Sequence, residues 1–254
     1  MNVLVWLAAI LLILMILVGG RKGARSFISL LLNFGVLILV TIFMTDPSAN
    51  PIILTMIGST VISCVSLFYI NKVNIKTKTA FLSTLITIGV LLFFIEFVTR
   101  GAMVQGFHEE EMDELGVFSL YIGVDFIKIA TSMIIMSTIG AIIDVAISIT
   151  SPMSEIFHHH PSISRKDLFT SGLSIGKDIL GSNTNTLFFA FFGGYMGLLI
   201  WFKDLSYSFG EIVNSKVFNV EMITILCAGI GIALVIPIAS WISAYFLVKT
   251  REHD

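Results

Sequence analysis

Long apolar runs, separated by short polar segments, dominate the pattern of this chain. Seven of these runs have at least the ~17 residues that a membrane-crossing helix needs. The predicted spans are residues 2–18, 27–44, 52–70, 80–98, 129–149, 182–202 and 222–248. Because the runs are continuous and do not alternate with polar residues, they predict helices. We therefore predict an all-α, polytopic transmembrane bundle of about seven spans, forming a single domain over residues 1–254.

The segments between the spans contain further predicted elements. Residues 164–180 have apolar positions at helical spacing, which predicts an amphipathic helix on the cytoplasmic surface between spans five and six. Asp125 and Lys128 lie in an interfacial lead-in to span five, and residues 108–114 form a strongly acidic loop. Pro237 predicts a kink in span seven.

Basic residues are unevenly distributed between alternate loops, which predicts the orientation of the bundle. The loops after spans one, three, five and seven contain eleven Lys and Arg residues, and the loops after spans two, four and six contain three. Since short cytoplasmic loops carry the excess of basic residues, we predict the N-terminus outside and the C-terminus in the cytoplasm of a cell membrane. The odd number of spans argues against two complete inverted repeats in the chain.

Composition supports a membrane protein and excludes several other classes. The chain is 56% hydrophobic and 13% charged, about half the ~25% charged residues typical of soluble domains. A net charge of −2 gives no reason to expect nucleic acid as a partner. Cys64 and Cys227 lie inside apolar runs, where we expect packed thiols. The N-terminus lacks a basic region and a cleavage site, so we interpret it as a retained first helix.

Asp144 is the main candidate for chemistry, because a carboxylate inside a membrane helix is costly and is expected to face a bundle interior or a wet cavity. Helical spacing groups it in one polar stripe with Ser137, Gly140, Ser148, Ser151 and Glu155. Gly140 would allow a neighbouring helix to approach closely. Since burial disfavours the charged form of a carboxylate, such a group can carry a proton near neutral pH. A purely structural, hydrogen-bonded Asp144 is the open alternative.

A second candidate is the polar patch at the start of span six, Ser182, Asn183, Thr184, Asn185 and Thr186, preceded by Asp178 and the packing glycine Gly181. If spans five and six are neighbours, this patch would meet the Asp144 helix. Hydroxyl and amide groups can solvate an ion or a proton carrier without adding charge. The alternative is a helix cap formed by Ser182 or Asn183. One residue would suffice for a cap, so five polar residues favour a cavity lining.

Other polar residues carry weaker signals. Asn33 is expected to form an interhelical hydrogen bond, and Glu96 and Arg100 are expected to pair at i, i+4. The three histidines 158–160 would diverge on a helix, so we predict no metal site there. The sequence contains no phosphate-binding glycine loop and no nucleophile constellation, so we expect neither an enzyme nor a cofactor.

The segments GAIIDVAISITSPMSEI and SGLSIGKDILGSNTNTLFFAFFGG closely resemble the signature of the YibE/F family of bacterial multi-pass membrane proteins. Because only residues 19–26 separate spans one and two, the chain resembles the short, YibF-like form, without the extracytoplasmic domain of the long form. The resemblance implies a paralogous YibE-like partner, with a homo-oligomer as the alternative. It implies no established activity.

A more distant resemblance is to the membrane domains of SecF and the wider RND superfamily. There, an intramembrane Asp or Asn helix is followed by an amphipathic cytoplasmic helix and a span that begins with a Ser/Thr-rich patch. This resemblance implies a proton-relay role for Asp144. Two hypotheses therefore follow: a subunit of a proton- or ion-coupled transporter or export-assisting complex, or a non-transporting scaffold that holds another membrane protein.

Overall fold

The computed structural model describes residues 3–102 and 125–251, and all regular structure in these ranges is helical. The helices in chain order are α1 (Val3–Phe43), α2 (Pro51–Cys64), α3 (Ile75–Ala102), α4 (Phe126–His159), α5 (Arg165–Gly194), α6 (Met196–Asp204), α7 (Phe209–Asn214) and α8 (Lys216–Arg251). A π-helical turn (Val65–Tyr69) continues α2. The predicted acidic loop at residues 108–114 lies outside the described residues, as does the start of the interfacial lead-in.

Within the described ranges, five helices are long and apolar enough to cross a membrane: α1, α2 with its π-helical turn, α3, α4 and α8. Helices α5 and α6 pass the same test only as a pair, bent by 49° at the break between them. The predicted all-α class is confirmed, and the apolar helices identify a membrane protein.

Helix α1 reverses its direction at Gly20, between predicted spans one and two. Gly20 has φ 55° and ψ −135°, a left-handed conformation that glycine adopts without steric penalty. A straight helix would separate residues 15 and 23 by about 12 Å, yet the Met15 carbonyl lies directly against Gly23. The chain therefore folds back at Gly20, and the close approach is possible because Gly23 has no Cβ.

The second half of α1 packs antiparallel to α2. Near one end of this pair, a Cβ on Gly58 would lie 2.7 Å from Val40 Cγ2. Near the other end, Asn33 Nδ2 donates a hydrogen bond to Ser66 Oγ at 2.9 Å, in the π-helical turn. The interhelical hydrogen bond predicted for Asn33 is thereby confirmed.

Replacing Asn33 with leucine is expected to weaken the contact between α1 and α2 modestly. Hydrogen bonds between membrane helices contribute about 0.6 kcal/mol on average in double-mutant cycles. We expect a coupling energy of about that size between Asn33→Leu and Ser66→Ala, measured by unfolding in detergent. Fully additive effects of the two substitutions would show that the hydrogen bond contributes nothing.

The core lies where α3, α4 and α8 pack together, with α2 and α5 against its sides. Gly231 of α8 marks the junction, because a Cβ there would lie 2.9 Å from Leu91 Cδ1 of α3 and 3.1 Å from Ile142 Cδ1 of α4. Buried hydroxyl groups in α3 bond mostly to their own helix: Ser83 Oγ donates to the Thr79 carbonyl at 2.6 Å. Most of these polar atoms are thus satisfied inside an apolar core, whereas Thr84 Oγ1 has no hydrogen-bond partner among the described residues.

Helix α5 contradicts the predicted division between a surface helix and span six. A single helix runs from Arg165 to Gly194, without a break at Gly181. Its first half does not lie free on a surface, because Leu168 is fully buried and the helix packs along α8. One glycine in an otherwise helical sequence costs only about 1 kcal/mol, too little to end a helix that is held by its neighbour.

Two glycines spaced at i, i+4 bring α5 against α8. A Cβ on Gly172 would lie 2.6 Å from Ser240 Oγ of α8 and 2.6 Å from Met153 Sδ of α4. A Cβ on Gly176 would overlap Ile236 of α8. Small residues at this spacing let membrane helices approach closely, so this pair sets the contact between α5 and α8.

Candidate functional site

Helix α4 has one buried and one exposed face, and Asp144 lies on the exposed face. The apolar residues predicted opposite it, Ile135, Ile142, Ile143, Val145 and Ile149, are all buried in the core. The predicted polar stripe does share one face of α4. However, Ser137, Gly140 and Glu155 are exposed and Ser148 and Ser151 are half-buried. Asp144 therefore does not face the interior of the bundle that this chain forms alone, and the other predicted environment, a wet cavity, stays a prediction.

The polar patch lies in the middle of α5, well inside the helix. Asn183 Nδ2 donates to the Ile179 carbonyl at 3.1 Å, and Thr186 Oγ1 donates to the Ser182 carbonyl at 2.9 Å. Asp178, Ser182, Asn185 and Thr186 are exposed, and Asn183 and Thr184 are half-buried. A helix cap at Ser182 or Asn183 is excluded, because α5 begins at Arg165.

Helix α8 places Asp144 and the patch at similar positions along the bundle. Thr184 of α5 is next to Gly229, where a Cβ would lie 3.7 Å from Thr184 Cγ2, and Ile142 of α4 is next to Gly231. Residues 229 and 231 differ by only about 3 Å along the helix axis. Asp144 is two residues beyond Ile142. The Asp144 carboxylate and the polar patch thus lie at about the same height along the axis of α8. Among the residues whose side chains are described, no hydrogen bond joins the two.

The two glycines predicted to mediate packing do not do so within this chain. Gly140 and Gly181 are exposed, and a Cβ on either would meet no atom within 4 Å. Gly172 and Gly176 have that role instead. The GxxxG spacing at 172–176 was the sequence signal that could have identified them.

Two charged pairs lie at helix ends, away from Asp144. Arg100 and Glu96 form the predicted i, i+4 pair, with 2.8 Å between Arg100 Nη2 and Glu96 Oε1. Lys128 Nζ lies 3.0 Å from Asp125 Oδ2, and Asp125 also caps α4. The hydrogen bond from the Lys128 side chain holds the pKa of Asp125 below its usual value, with smaller contributions from main-chain donors. Asp125 therefore caps α4 as a carboxylate at neutral pH.

No group of three His, Cys, Asp or Glu side chains that could hold a metal ion occurs in the described ranges. Cys64 and Cys227 are free thiols, the first half-buried and the second buried. A carboxylate that sequence reasoning overlooked, Glu221, accepts a hydrogen bond from the Tyr195 hydroxyl at 2.7 Å. This bond ties the bend between α5 and α6 to the start of α8.

The fold is that of a helical membrane protein, and the carboxylate of Asp144 and most of the polar patch on α5 are exposed on outer helix faces. The family model for YibE/F-like proteins matches residues 7–249, nearly the whole chain. The chain therefore belongs to the YibE/F-like family, as its sequence resemblance indicated. No curated protein and no solved structure matches it.

Proposed function

We propose that this chain is a membrane-embedded subunit of a proton- or ion-coupled transport or export-assisting complex, in which Asp144 is the protonatable residue. The subunit would lie in the cell membrane with seven spans, its N-terminus outside and its C-terminus in the cytoplasm. Asp144 would face another subunit, either a paralogous YibE-like chain or a second copy.

The observation that carries the proposal is the exposed position of Asp144 on a helix whose opposite face forms the core. A carboxylate in contact with lipid tails is energetically costly, and such residues normally face protein or water. Because α4 cannot turn Asp144 inward without exposing Ile142 and Ile149 and losing their packing, a second subunit or a wet cavity between subunits would have to cover it. The incomplete environment of Asp144 thus favours a subunit over a self-contained transporter.

The span count is supported by two features of the helices. The reversal at Gly20 divides α1 into two apolar segments, and the bent pair α5 and α6 would supply one further span. Together with α2, α3, α4 and α8 these would give seven spans, the number predicted.

The orientation is supported by contacts that bring the predicted cytoplasmic loops together at one end. Lys76 Nζ lies 3.5 Å from Ser151 Oγ, and the Arg165 guanidinium lies 4.9 Å from the centre of the Tyr245 ring. These contacts place basic residues from two of the predicted cytoplasmic loops, those after spans three and five, near one end of the bundle, as expected on the cytoplasmic side.

In the proposed mechanism, Asp144 takes up and releases the proton. Ser148 and Glu155 lie on the same face of α4 as Asp144, nearer to the end that we propose to be cytoplasmic. The side chains of Ser182, Asn183, Thr184, Asn185 and Thr186, at the same level on α5, would solvate the path together with Asp178. Since these groups are neutral apart from Asp178, they would stabilise an ion or proton carrier without competing for its charge.

The substitution Asp144→Asn tests this function, because it keeps the shape and polarity of the side chain but removes the titratable group. In proteoliposomes that contain the complex, we expect loss of pH-gradient-driven activity with unchanged recovery of the assembled complex. Ser137→Ala, on the same exposed face, is the matched control and should retain activity. Full activity of Asp144→Asn would remove Asp144 from the mechanism.

The exposed polar face also fits a second candidate function, a scaffold that holds another membrane protein. In that case Asp144 would be a hydrogen-bonding contact between helices, and its amide replacement would weaken co-purification of the partner. The same experiment separates the two functions. Lost activity with intact assembly favours the relay, whereas reduced assembly without any gradient-dependent activity favours the scaffold.

A further inference from the structure

A basic cavity opens at the end of the bundle where α1 reverses. Its volume is about 430 Å³, and it lies between the chain after Gly20 and the connection from the π-helical turn to α3. It is lined by Arg21, Lys22, Arg25, Ile70, Asn71, Lys72, Asn74 and Lys76. Five of these eight residues are cationic and none is acidic.

Several local contacts fix the walls of this cavity. The three cations of α1 follow the reversal at Gly20 and line the cavity opposite residues 70–76, and the hydrogen bond between Asn33 and Ser66 holds α1 beside the π-helical turn. On the opposite wall, Lys72 has φ 62°, a left-handed conformation that is unfavourable for a lysine. The Lys72 carbonyl accepts a hydrogen bond from Thr77 Oγ1 at 2.9 Å, which holds this conformation.

The cations of the cavity have no carboxylate partner in the described part of the chain. The salt bridges there join Arg100 to Glu96 and Lys128 to Asp125, and neither involves the cavity. Like charges grouped in one cavity repel each other, and this repulsion is relieved when an anion binds between them.

The cavity lies where the apolar helices end, at the level expected for lipid headgroups. Arginine guanidinium groups bind phosphate oxygens through two parallel hydrogen bonds, and lysine adds a mobile point charge. Basic pockets between membrane helices on the cytoplasmic side suit anionic headgroups. We propose that this cavity binds a phosphate-bearing anion. The bilayer would supply it as the headgroup of cardiolipin, whereas the aqueous phase would supply it as pyrophosphate. The site is independent of Asp144 and of the proposed transport function.

The test uses the full chain, purified in an uncharged detergent, with cardiolipin and inorganic pyrophosphate titrated in separate experiments. Binding is measured by native mass spectrometry and by the shift in melting temperature. Each basic residue near a membrane surface contributes about 1 kcal/mol, or about fivefold in affinity. The triple variant Arg21→Gln/Arg25→Gln/Lys72→Gln is therefore expected to bind about 100-fold more weakly.

The matched control removes three exposed cations elsewhere, Lys166→Gln/Lys177→Gln/Lys203→Gln, and should bind within about threefold of the unmodified protein. If the triple variant does not fold, the single substitutions Arg25→Gln and Lys72→Gln should each weaken binding about fivefold. Binding of cardiolipin alone identifies the headgroup as the ligand, and equal binding of pyrophosphate identifies a soluble diphosphate. Binding of neither, or equal weakening by the control variant, would overturn the proposal.

Discussion

Replacing Gly176 with leucine is expected to destabilise the protein by about 3 kcal/mol or more, because the new side chain has no space between α5 and α8. Even the first added carbon would overlap Ile236, which is itself buried in the core. Both helices are held by further contacts on either side, at Gly172 and Thr184, so neither can move away locally. The melting temperature of the purified protein in detergent measures the effect.

The substitution Gly181→Leu is the matched control for that experiment. It lies five residues further along the same helix and adds the same side chain, but its Cβ would meet nothing within 4 Å. We expect a change in the free energy of unfolding within about 0.5 kcal/mol, or a slight gain from better helix propensity. If leucine at Gly181 destabilised as strongly as leucine at Gly176, the packing of α5 against α8 would have to be wrong.

This contrast also shows which part of the packing could be predicted from sequence. The apolar runs predicted the helices correctly, because continuous hydrophobicity is a local property of each segment. The role of a glycine depends instead on which neighbour faces it. The sequence pattern places Gly172 and Gly176 in a predicted surface helix, although their spacing is typical of close helix contacts. It predicts packing at Gly140 and Gly181 because they accompany polar residues.

The polar face of α4 illustrates a second limit of sequence reasoning. Helical periodicity grouped Ser137, Asp144 and Glu155 correctly on one face. It could not decide which face of α4 would be buried, because lipid tails are as apolar as a protein core and either can cover an isoleucine face. The burial of Ile135, Ile142 and Ile149 in the core, with Ile142 against Gly231 of α8, shows that the isoleucine face is the core side.

Substitutions on the two faces of α4 should therefore differ in their effect on stability. An aspartate at position 142 should destabilise the chain, whereas an isoleucine at position 144 should not. Ile142→Asp is expected to cost at least about 4 kcal/mol, because it removes a packed side chain and leaves an unpaired carboxylate in the core. Ile142 is fully buried where α3, α4 and α8 meet, and a carboxylate there would face Leu91 and the α8 backbone at Gly231. We expect little folded protein by size-exclusion chromatography in detergent.

The substitution Asp144→Ile, two residues along the same helix, is expected to leave the folded chain intact. The exposed carboxylate makes no hydrogen bond in the parts of the chain with described side chains, so its removal breaks no contact within the subunit. Its melting temperature as an isolated subunit should stay close to that of the unmodified protein, with an unfolding free energy changed by less than about 0.5 kcal/mol. A loss of folded protein at position 144 equal to that at 142 would mean that Asp144 stabilises this chain from within. The proposal that a second subunit covers Asp144 would then fail, because Asp144 would already have its partner inside this bundle.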